Sequence, residues 1–350
     1  MTEQSFPMRP TTKDLAKAAG VSLATVDRVL NARPGVREKT VKAVNEAIER
    51  IGFVRNQSAA NLARGRRYRF QFLLPEAGDD FLATLVERIE ESRAAFLSES
   101  LEISMRRVLS NDPHLTAQAL SRVSPARVDG VAIMAPESPQ VRDATTRLIE
   151  RGVEVVQFIS GQPGLRPLDF VGVDNNSAGA TAGRLMGRFL GERKGTILVV
   201  AETMNSLDSV ERRLGFDTVL TADFPNLSAL PSVETYGDPA RTRMVIANSY
   251  ANHPDIVGAY LMSSEVRLPL EALCGASDPM RQVIIAHERT GYSEEKLRNG
   301  TLDAVIAQNP GHLVRSAIRV LKARSDGREP LASQERIRIE IYIKENLGLY

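Results

Sequence analysis

The chain has 350 residues, which is long for one average domain and suits two or three. It is 43% hydrophobic and 25% charged, as expected of a globular protein, and no uninterrupted apolar run reaches membrane-spanning length. The single cysteine, Cys274, excludes an intramolecular disulfide and argues against a metal-ligand cluster. The N-terminus lacks the pattern of a secretory signal, so we expect a reducing, cytoplasmic compartment.

The net charge of +2 conceals an uneven distribution along the chain. Residues 1–69 hold 14 Lys and Arg against 6 Asp and Glu, a net charge of +8, whereas the remaining 281 residues hold 31 against 37, a net charge of −6. A basic segment joined to a neutral or acidic one is typical of a nucleic-acid-binding module attached to another domain.

Two short amphipathic helices joined by a glycine are predicted between Thr12 and Asn31. Apolar residues recur at helical spacing in the first, and Gly20 ends it because glycine adopts the left-handed conformation at little cost. Ser22 is suited to cap the second helix, in which Val26 should point inward. The residues of that helix expected to face outward, where a DNA major groove would meet them, are Leu23, Ala24, Asp27 and Arg28.

A defined order of motifs accompanies this helical pair, which by itself would also suit an ordinary globular core or another helix-turn-helix protein. V-S-x-x-T-V-x-R-V-L-N is followed by Pro34 and Val36, a third helix over 37–51, Gly-Phe, and Asn56 opening a basic, alanine-rich segment. This order resembles the lactose-repressor (LacI/GalR) family of bacterial transcription regulators. The resemblance implies a helix-turn-helix DNA-binding domain over residues 1–55, with DNA contacts from Thr12, Ser22, Leu23, Ala24, Thr25, Arg28 and Asn31.

Residues 56–68 are predicted to form a hinge helix and linker. The segment NQSAANLA has almost no apolar face and is too short to be stably helical alone. In the resembling family this hinge folds on DNA, pairs with its partner in the dimer and inserts a leucine into the minor groove. Leu62 occupies that place, and Asn56 and Ala59 match the neighbouring pattern. Such an apolar wedge would couple hinge order to DNA shape, although a plain linker is the alternative.

From Arg69 onward, strands and helices alternate, which indicates an α/β fold with parallel sheets flanked by helices. The rhythm restarts at DFVGVD, and the two runs resemble the two lobes of the periplasmic sugar-binding protein fold that forms the family's effector core. We assign residues 69–160 and 290–325 to one lobe, and residues 161–289 and 326–350 to the other. The C-terminal isoleucines alternate with polar residues as in a strand, and the absence of a leucine-heptad helix favours a dimer over a tetramer.

Effector-binding residues are sought at the carboxyl ends of the strands, where parallel sheets bind their ligands. The resemblance places there Asp80, Phe81, Asp174, Asn176, Arg212, Ser264, Glu265, Glu288 and Gln308. An aromatic platform with carboxylate, amide and guanidinium groups would match a sugar ring and its hydroxyls. Each residue alone could be a solvated loop residue, and Asp174 could simply cap a helix. Convergence favours Arg212, Glu288 and Gln308, whereas Ile159-Ser160 departs from the family pattern and indicates an atypical effector.

The sequence therefore predicts a sequence-specific DNA-binding transcriptional repressor of carbohydrate uptake or catabolism genes. It would act as a homodimer on double-stranded operator DNA in the cytoplasm, associated with the nucleoid, under control of a sugar, polyol or sugar phosphate. No enzyme activity, membrane partner, metal or other cofactor is expected, since the four histidines belong to no catalytic or metal-binding motif. The alternative is a cytosolic sugar-binding or sugar-modifying protein that does not act on DNA.

Overall fold

The computed structural model describes residues 10–30, 34–53, 67–76, 78–96, 100–109, 112–162 and 169–348. The chain divides into two compact units, Met1–Arg66 and Arg67–Tyr350, which we call the head and the core. Within the described ranges, no helix is both long enough and apolar enough to cross a membrane.

The head contains three helices, α1 (Thr12–Ala19), α2 (Leu23–Leu30) and α3 (Glu38–Ile51). Thr11 and Asp14 cap the start of α1 reciprocally, and Gly20 ends it in the left-handed conformation with φ of 65°. The helices enclose a small core that contains Leu15, Ala16, Val26, Val44, Ala47 and Phe53. Val26 is buried whereas Leu23, Ala24, Asp27 and Arg28 are exposed, as the helical periodicity predicts.

The first lobe of the core is built on a five-stranded parallel sheet of order β2-β1-β3-β4-β5. Its strands are β1 (Tyr68–Pro75), β2 (Leu101–Val108), β3 (Gly130–Ile133), β4 (Glu154–Phe158) and β5 (Phe170–Val171). The helices between them are α4 (Asp80–Phe96), α5 (Pro113–Ser121) and α6 (Pro139–Glu150). Successive side chains point to opposite faces, so Phe72 packs in one hydrophobic cluster and Leu73 in the other.

The second lobe is built on a seven-stranded sheet of order β12-β11-β10-β9-β6-β7, in which β8 also pairs with β6. Its strands are β6 (Gly195–Ala201), β7 (Leu227–Ala229), β8 (Val233–Glu234), β9 (Ile256–Leu261), β10 (Val283–His287), β11 (Ala304–Ala307) and β12 (Glu340–Tyr342). The flanking helices are α7 (Asn175–Leu190), α8 (Leu207–Asp223), α9 (Pro239–Asn252), α10 (Arg267–Ala276) and α11 (Gly291–Arg298). Every residue of β10 and β11 is buried, as is typical of central parallel strands.

The chain passes between the lobes at places that differ from the predicted limits. Of the segment 290–325, α11 and β11 belong to the second lobe, and only α12 (Pro310–Ser325) packs in the first. In the predicted C-terminal strand, Ile337 is buried in the first lobe, and only Glu340–Tyr342 pairs, antiparallel, with β11. A short helix, α13 (Ala332–Glu335), precedes it. The expected α/β architecture with helix-flanked parallel sheets is confirmed.

Candidate functional sites

Arg212 lies on α8 at the carboxyl ends of the second-lobe strands and is 7% exposed. Its Nε donates to Oδ1 of Asn175 at 2.9 Å, and its Nη1 donates to the carbonyl oxygen of Met262 at 2.6 Å. Its Nη2 lies 3.8 Å from Oε1 of Glu288. The guanidinium is therefore held by α7 and by the chain after β9, with one nitrogen turned towards the chain after β10.

Glu288 directly follows β10 and is 2% exposed. Gln308, which follows β11, donates its Nε2 to Oε1 of Glu288 at 3.0 Å. Burial raises the pKa of Glu288 to about 7, while Arg212 and Gln308 oppose that rise. The other oxygens, Oε2 of Glu288 and Oε1 of Gln308, are buried without a hydrogen-bond partner among the described residues. The predicted trio of Arg212, Glu288 and Gln308 thus comes together.

A buried hydrogen-bonded pair, His287 and Tyr260, lies at the end of β10, next to Glu288 in the chain. Nε2 of His287 lies 2.8 Å from the hydroxyl of Tyr260, whose ring stacks on Phe216 at 4.5 Å between centroids. Burial lowers the pKa of His287 well below its ordinary value and raises that of Tyr260, so both side chains are uncharged at neutral pH. The pair therefore fixes the end of β10 without adding charge to it.

Further carboxylates face the same region from both lobes. Asp79 caps α4 by accepting a hydrogen bond from the Leu82 amide at 2.9 Å, and its charge helps to raise the pKa of both Glu288 and Glu202. For Glu202 burial is the larger cause, and Glu265 adds to it. Asp79 belongs to the first lobe and the glutamates to the second. We call the set Asp79, Asn175, Glu202, Arg212, Glu288 and Gln308 the interlobe site.

Asp80 and Phe81 were expected in this site but do not lie in it. Both are in the first turn of α4 rather than in a loop. Phe81 is 2% exposed and packs in the hydrophobic core of the first lobe, so it offers no aromatic platform to a sugar. Asp80 instead forms an ion pair with Arg267 of the second lobe, with 3.0 Å between Oδ2 and Nη2.

Asp174 and Asn176 flank the residue that the structure brings to Arg212. Asp174 caps α7 by accepting a hydrogen bond from the Ser177 amide at 2.9 Å, which is the alternative role that its sequence position predicts. Asn176 is exposed, whereas Asn175 is 4% exposed and bonds Arg212. Neighbouring residues of a helix point about 100° apart, so Asn175 faces the core while Asn176 faces solvent. The prediction named Asn176, the wrong one of the two asparagines.

Ser264 and Glu265 lie in the half-buried turn after β9. Oε1 of Glu265 accepts from the Leu268 amide at 3.1 Å at the start of α10. Sequence reasoning missed Asn175, Asp79, Glu202, Tyr260 and the support role of His287. The available signals were strand-end positions, since Asp79 follows the predicted strand FQFLLPE and Glu202 ends the predicted strand GTILVVAE.

The candidate DNA-binding surface is the exposed face of α2. Ser22 caps that helix, with its Oγ accepting from the Thr25 amide at 3.2 Å and lying 2.9 Å from the Thr25 hydroxyl. Thr12, Ala24 and Arg28 are exposed, and Leu23 is 47% exposed despite being apolar. Asn31, Asn56, Ala59 and Leu62 lie outside the described residues.

Two family models match the chain. Residues 70–329 match the periplasmic binding protein domain, and residues 11–56 match the bacterial regulatory proteins of the lacI family. The chain belongs to the lacI family. The order of motifs in the head and the strand rhythm of the core thus predicted the family correctly.

Relatives of this lacI-family chain include the maltose regulon regulatory protein MalI of Escherichia coli, 33% identical over 172 residues, which cover 48% of this chain and 47% of MalI. Catabolite control protein A of Priestia megaterium is 32% identical over 127 residues, covering 36% of this chain and 37% of that protein. The HTH-type transcriptional regulator DegA of Bacillus subtilis is 28% identical over 178 residues, 51% of each chain. The matched regions thus span about half or less of these relatives.

Solved structures resemble the core of the lacI-family chain in fold. A solute-binding protein of an ABC transporter from Burkholderia graminis, in complex with D-arabinose, has a TM-score of 0.71 at 18% identity, covering 82% of this chain and 98% of that one. GanP, a glucose-galactose binding protein from Geobacillus stearothermophilus, has a TM-score of 0.69 at 18% identity, covering 81% of this chain and 100% of GanP.

Among the described residues, no group of His, Cys, Asp or Glu is placed to hold a metal ion.

Proposed function

We propose that this protein is a sequence-specific DNA-binding repressor of carbohydrate uptake or catabolism genes, controlled by a small hydroxyl-rich effector bound at the interlobe site. The observation that carries the proposal is the pairing, in one chain, of a capped helix-turn-helix with an exposed second helix and a core whose strand ends converge on Arg212, Glu288 and Gln308. The names of MalI and catabolite control protein A support the link to carbohydrate genes.

In this proposal, the protein acts as a homodimer on a near-palindromic operator in the cytoplasm, associated with the nucleoid. One helix-turn-helix reads only a few base pairs, so two heads are needed to reach useful specificity. The hinge residues Asn56, Ala59 and Leu62 carry the coupling between effector and DNA in this proposal. Effector binding changes the relative populations of the lobe arrangements and thereby biases the affinity for DNA.

The test begins by selecting a preferred duplex from a random pool with the full chain. Arg28→Ala should then weaken binding to the selected duplex by about 1–3 kcal/mol, because the guanidinium can donate two hydrogen bonds to a guanine edge. Its affinity for random DNA should change far less, so the ratio of specific to non-specific affinity falls. Both affinities are measured by fluorescence anisotropy over a range of salt concentrations.

Lys42→Ala is the matched control, since Lys42 is an exposed cation on α3 of the same head. Loss of this charge should lower both affinities by the same factor or leave both unchanged, because phosphate contacts carry no sequence information. An unchanged affinity ratio in Arg28→Ala would remove α2 from the base-reading role. Failure of the full chain to enrich any duplex would favour the alternative of a sugar-binding or sugar-modifying protein.

A further inference from the structure

The charge of the interlobe site is dominated by carboxylates. The charge of Asp79 in the first lobe helps to raise the pKa of both Glu202 and Glu288 in the second lobe, and the charge of Glu265 helps to raise that of Glu202. Asp80, next to Asp79 in the chain, is paired with Arg267, so these two side chains together add no net charge. A ligand that enters this region therefore meets an excess of negative charge.

The one buried cation of the site is already neutralised. Two nitrogens of Arg212 are committed to Asn175 and to the Met262 carbonyl, and the third faces Glu288. Asp208, which accepts from Nδ2 of Asn175 at 3.2 Å, adds another carboxylate beside it. Within the part of the chain that the structure describes, an anionic group such as a phosphate would therefore meet no uncompensated cation in this set and would face several carboxylates, which is costly at short range in a partly desolvated site.

The unpartnered atoms of the site are hydrogen-bond acceptors once Glu288 is ionised, a form that its pKa of about 7 allows at neutral pH and that a bound cation would favour further. Oε2 of Glu288 and Oε1 of Gln308 have no partner among the described residues, although both side chains are 2% exposed. A buried acceptor without a donor is costly, so these two atoms identify where a ligand must present hydrogen-bond donors. An ammonium group offers three donors and a positive charge, whereas a hydroxyl offers one donor and no charge.

We propose that the effector is a hydroxyl-rich small molecule that carries a protonated amine, of the amino-sugar class, with its ammonium group directed at Asp79, Glu202 and Glu288. The inference rests on the proposed function and narrows the chemical class of the effector. It excludes sugar phosphates and sugar acids as effectors. Arg212 and Gln308 then recognise the hydroxyl groups, with Arg212 donating from its third nitrogen.

The test is isothermal titration calorimetry of the full chain with matched triplets that share one ring. Each triplet contains the amino sugar, the parent sugar and its 6-phosphate: glucosamine, glucose and glucose 6-phosphate, then the galactose and mannose counterparts. In at least one triplet the amine should bind about tenfold or more tightly than the parent, as expected for a partly buried charge pair, and the phosphate should not bind. Equal binding of amine and parent, tighter binding of the phosphate, or no response to any amine would each overturn the proposal.

Asp79→Asn provides the matched test within the protein. Asparagine can still accept from the Leu82 amide and cap α4, so only the charge is removed. The preference for the amine over the parent sugar should fall several-fold, while the affinity for the parent stays within about twofold. Asp112→Asn is the control, because Asp112 caps α5 in the same way and does not influence the pKa of Glu288 or Glu202.

An unchanged preference for the amine in Asp79→Asn would overturn the assignment of its ammonium site. Specific DNA binding, measured separately on the selected duplex, distinguishes a wrong effector class from a wrong proposed function. Retained specific DNA binding with no preference for the amine rejects only the effector class. Loss of both would reject the proposed function as well.

Discussion

Glu288 has a left-handed backbone, with φ of 64°, although it is not a glycine. Such a conformation costs about 1–3 kcal/mol and persists only where the surroundings enforce it. The Glu288 amide donates to the Ile306 carbonyl at 2.8 Å, and its carbonyl oxygen accepts from Oγ of Ser293 at 2.9 Å. These bonds hold the backbone on both sides and direct the carboxylate into the interlobe site rather than along the sheet.

The raised pKa of Glu288 predicts a specific pH dependence of stability. Because its folded-state pKa of about 7 lies above the ordinary 4.5, the folded core retains a proton that the unfolded chain releases. The contribution of Glu288 to stability is therefore greatest below pH 4.5 and is lost as pH rises to 7. The free energy of unfolding of wild type minus that of Glu288→Gln should fall by up to about 3 kcal/mol across this window.

The measurement is urea unfolding of the core followed by circular dichroism between pH 4.5 and 8. The lowered pKa of His287 acts in the opposite direction over part of this range, but His287 is present in both proteins and cancels in the difference. A difference that does not change with pH would show that Glu288 titrates normally in the folded core.

At the scale of elements, the close approach of α7 and α8 places Arg212 beside Asn175. A Cβ at Gly179 of α7 would lie 1.8 Å from the Arg212 carbonyl oxygen, and a Cβ at Gly215 of α8 would lie 2.0 Å from that of Asn176. Backbone atoms within a helix cannot move aside as a flexible side chain can. The two glycines therefore set the helix separation, and with it the hydrogen bond from Arg212 to Asn175.

Gly179→Ala should destabilise the core by about 3 kcal/mol, because the added methyl group forces α7 and α8 apart. Gly275→Ala is the matched control: Gly275 is an exposed glycine in α10 with nothing within 4 Å of its Cβ position. There, alanine should stabilise the core by about 0.4–1 kcal/mol by restricting the unfolded chain. Urea unfolding compares the two variants, and similar effects of both substitutions would contradict the role assigned to the helix contact.

At the scale of the whole core, the ion pair of Asp80 and Arg267 links the two lobes. Arg267 also lies over the ring of Tyr292, with its Cζ 4.3 Å from the ring centroid, so the guanidinium is held in position before it meets Asp80. Both charged side chains are about half exposed, at 49% and 54%, so the pair contributes no more than about 1 kcal/mol. It favours the observed lobe arrangement without locking it.

Removal of this ion pair should weaken effector binding modestly and in a salt-dependent way. Asp80→Asn and Arg267→Ala should each lower the affinity by no more than about fivefold at low salt, and the double variant should be no weaker than the worse single one. At 1 M salt the effect should largely vanish. Calorimetry with the amine identified by the triplet panel measures it.

Arg88→Ala serves as the control for that ion pair, since Arg88 pairs only within the first lobe, with Glu91 at 2.7 Å. Its affinity for the amine should match that of wild type. Additive losses in the Asp80 and Arg267 variants would mean that the two side chains act independently rather than as a link between the lobes.

The sequence by itself determined the local features of this protein. Gly20 and Ser22 set the turn of the helix-turn-helix, the spacing of Leu15 and Val26 set its buried face, and alternating strands and helices predicted the α/β core. Each of these signals acts within one or two turns of chain, through a cap, a periodicity or a glycine, so it can be read without knowing what lies across the fold.

Only the tertiary structure decided which side chains meet. Sheet order brings the ends of β9, β10 and β11 side by side, so Met262 and Glu288 meet a guanidinium from α8 and Gln308 bonds Glu288. Helix rotation then chose Asn175 over its neighbour and turned Phe81 into the core. These outcomes depend on contacts between segments far apart in the chain. No local propensity determines which of two neighbouring helical side chains faces the core, or in which lobe α12 packs.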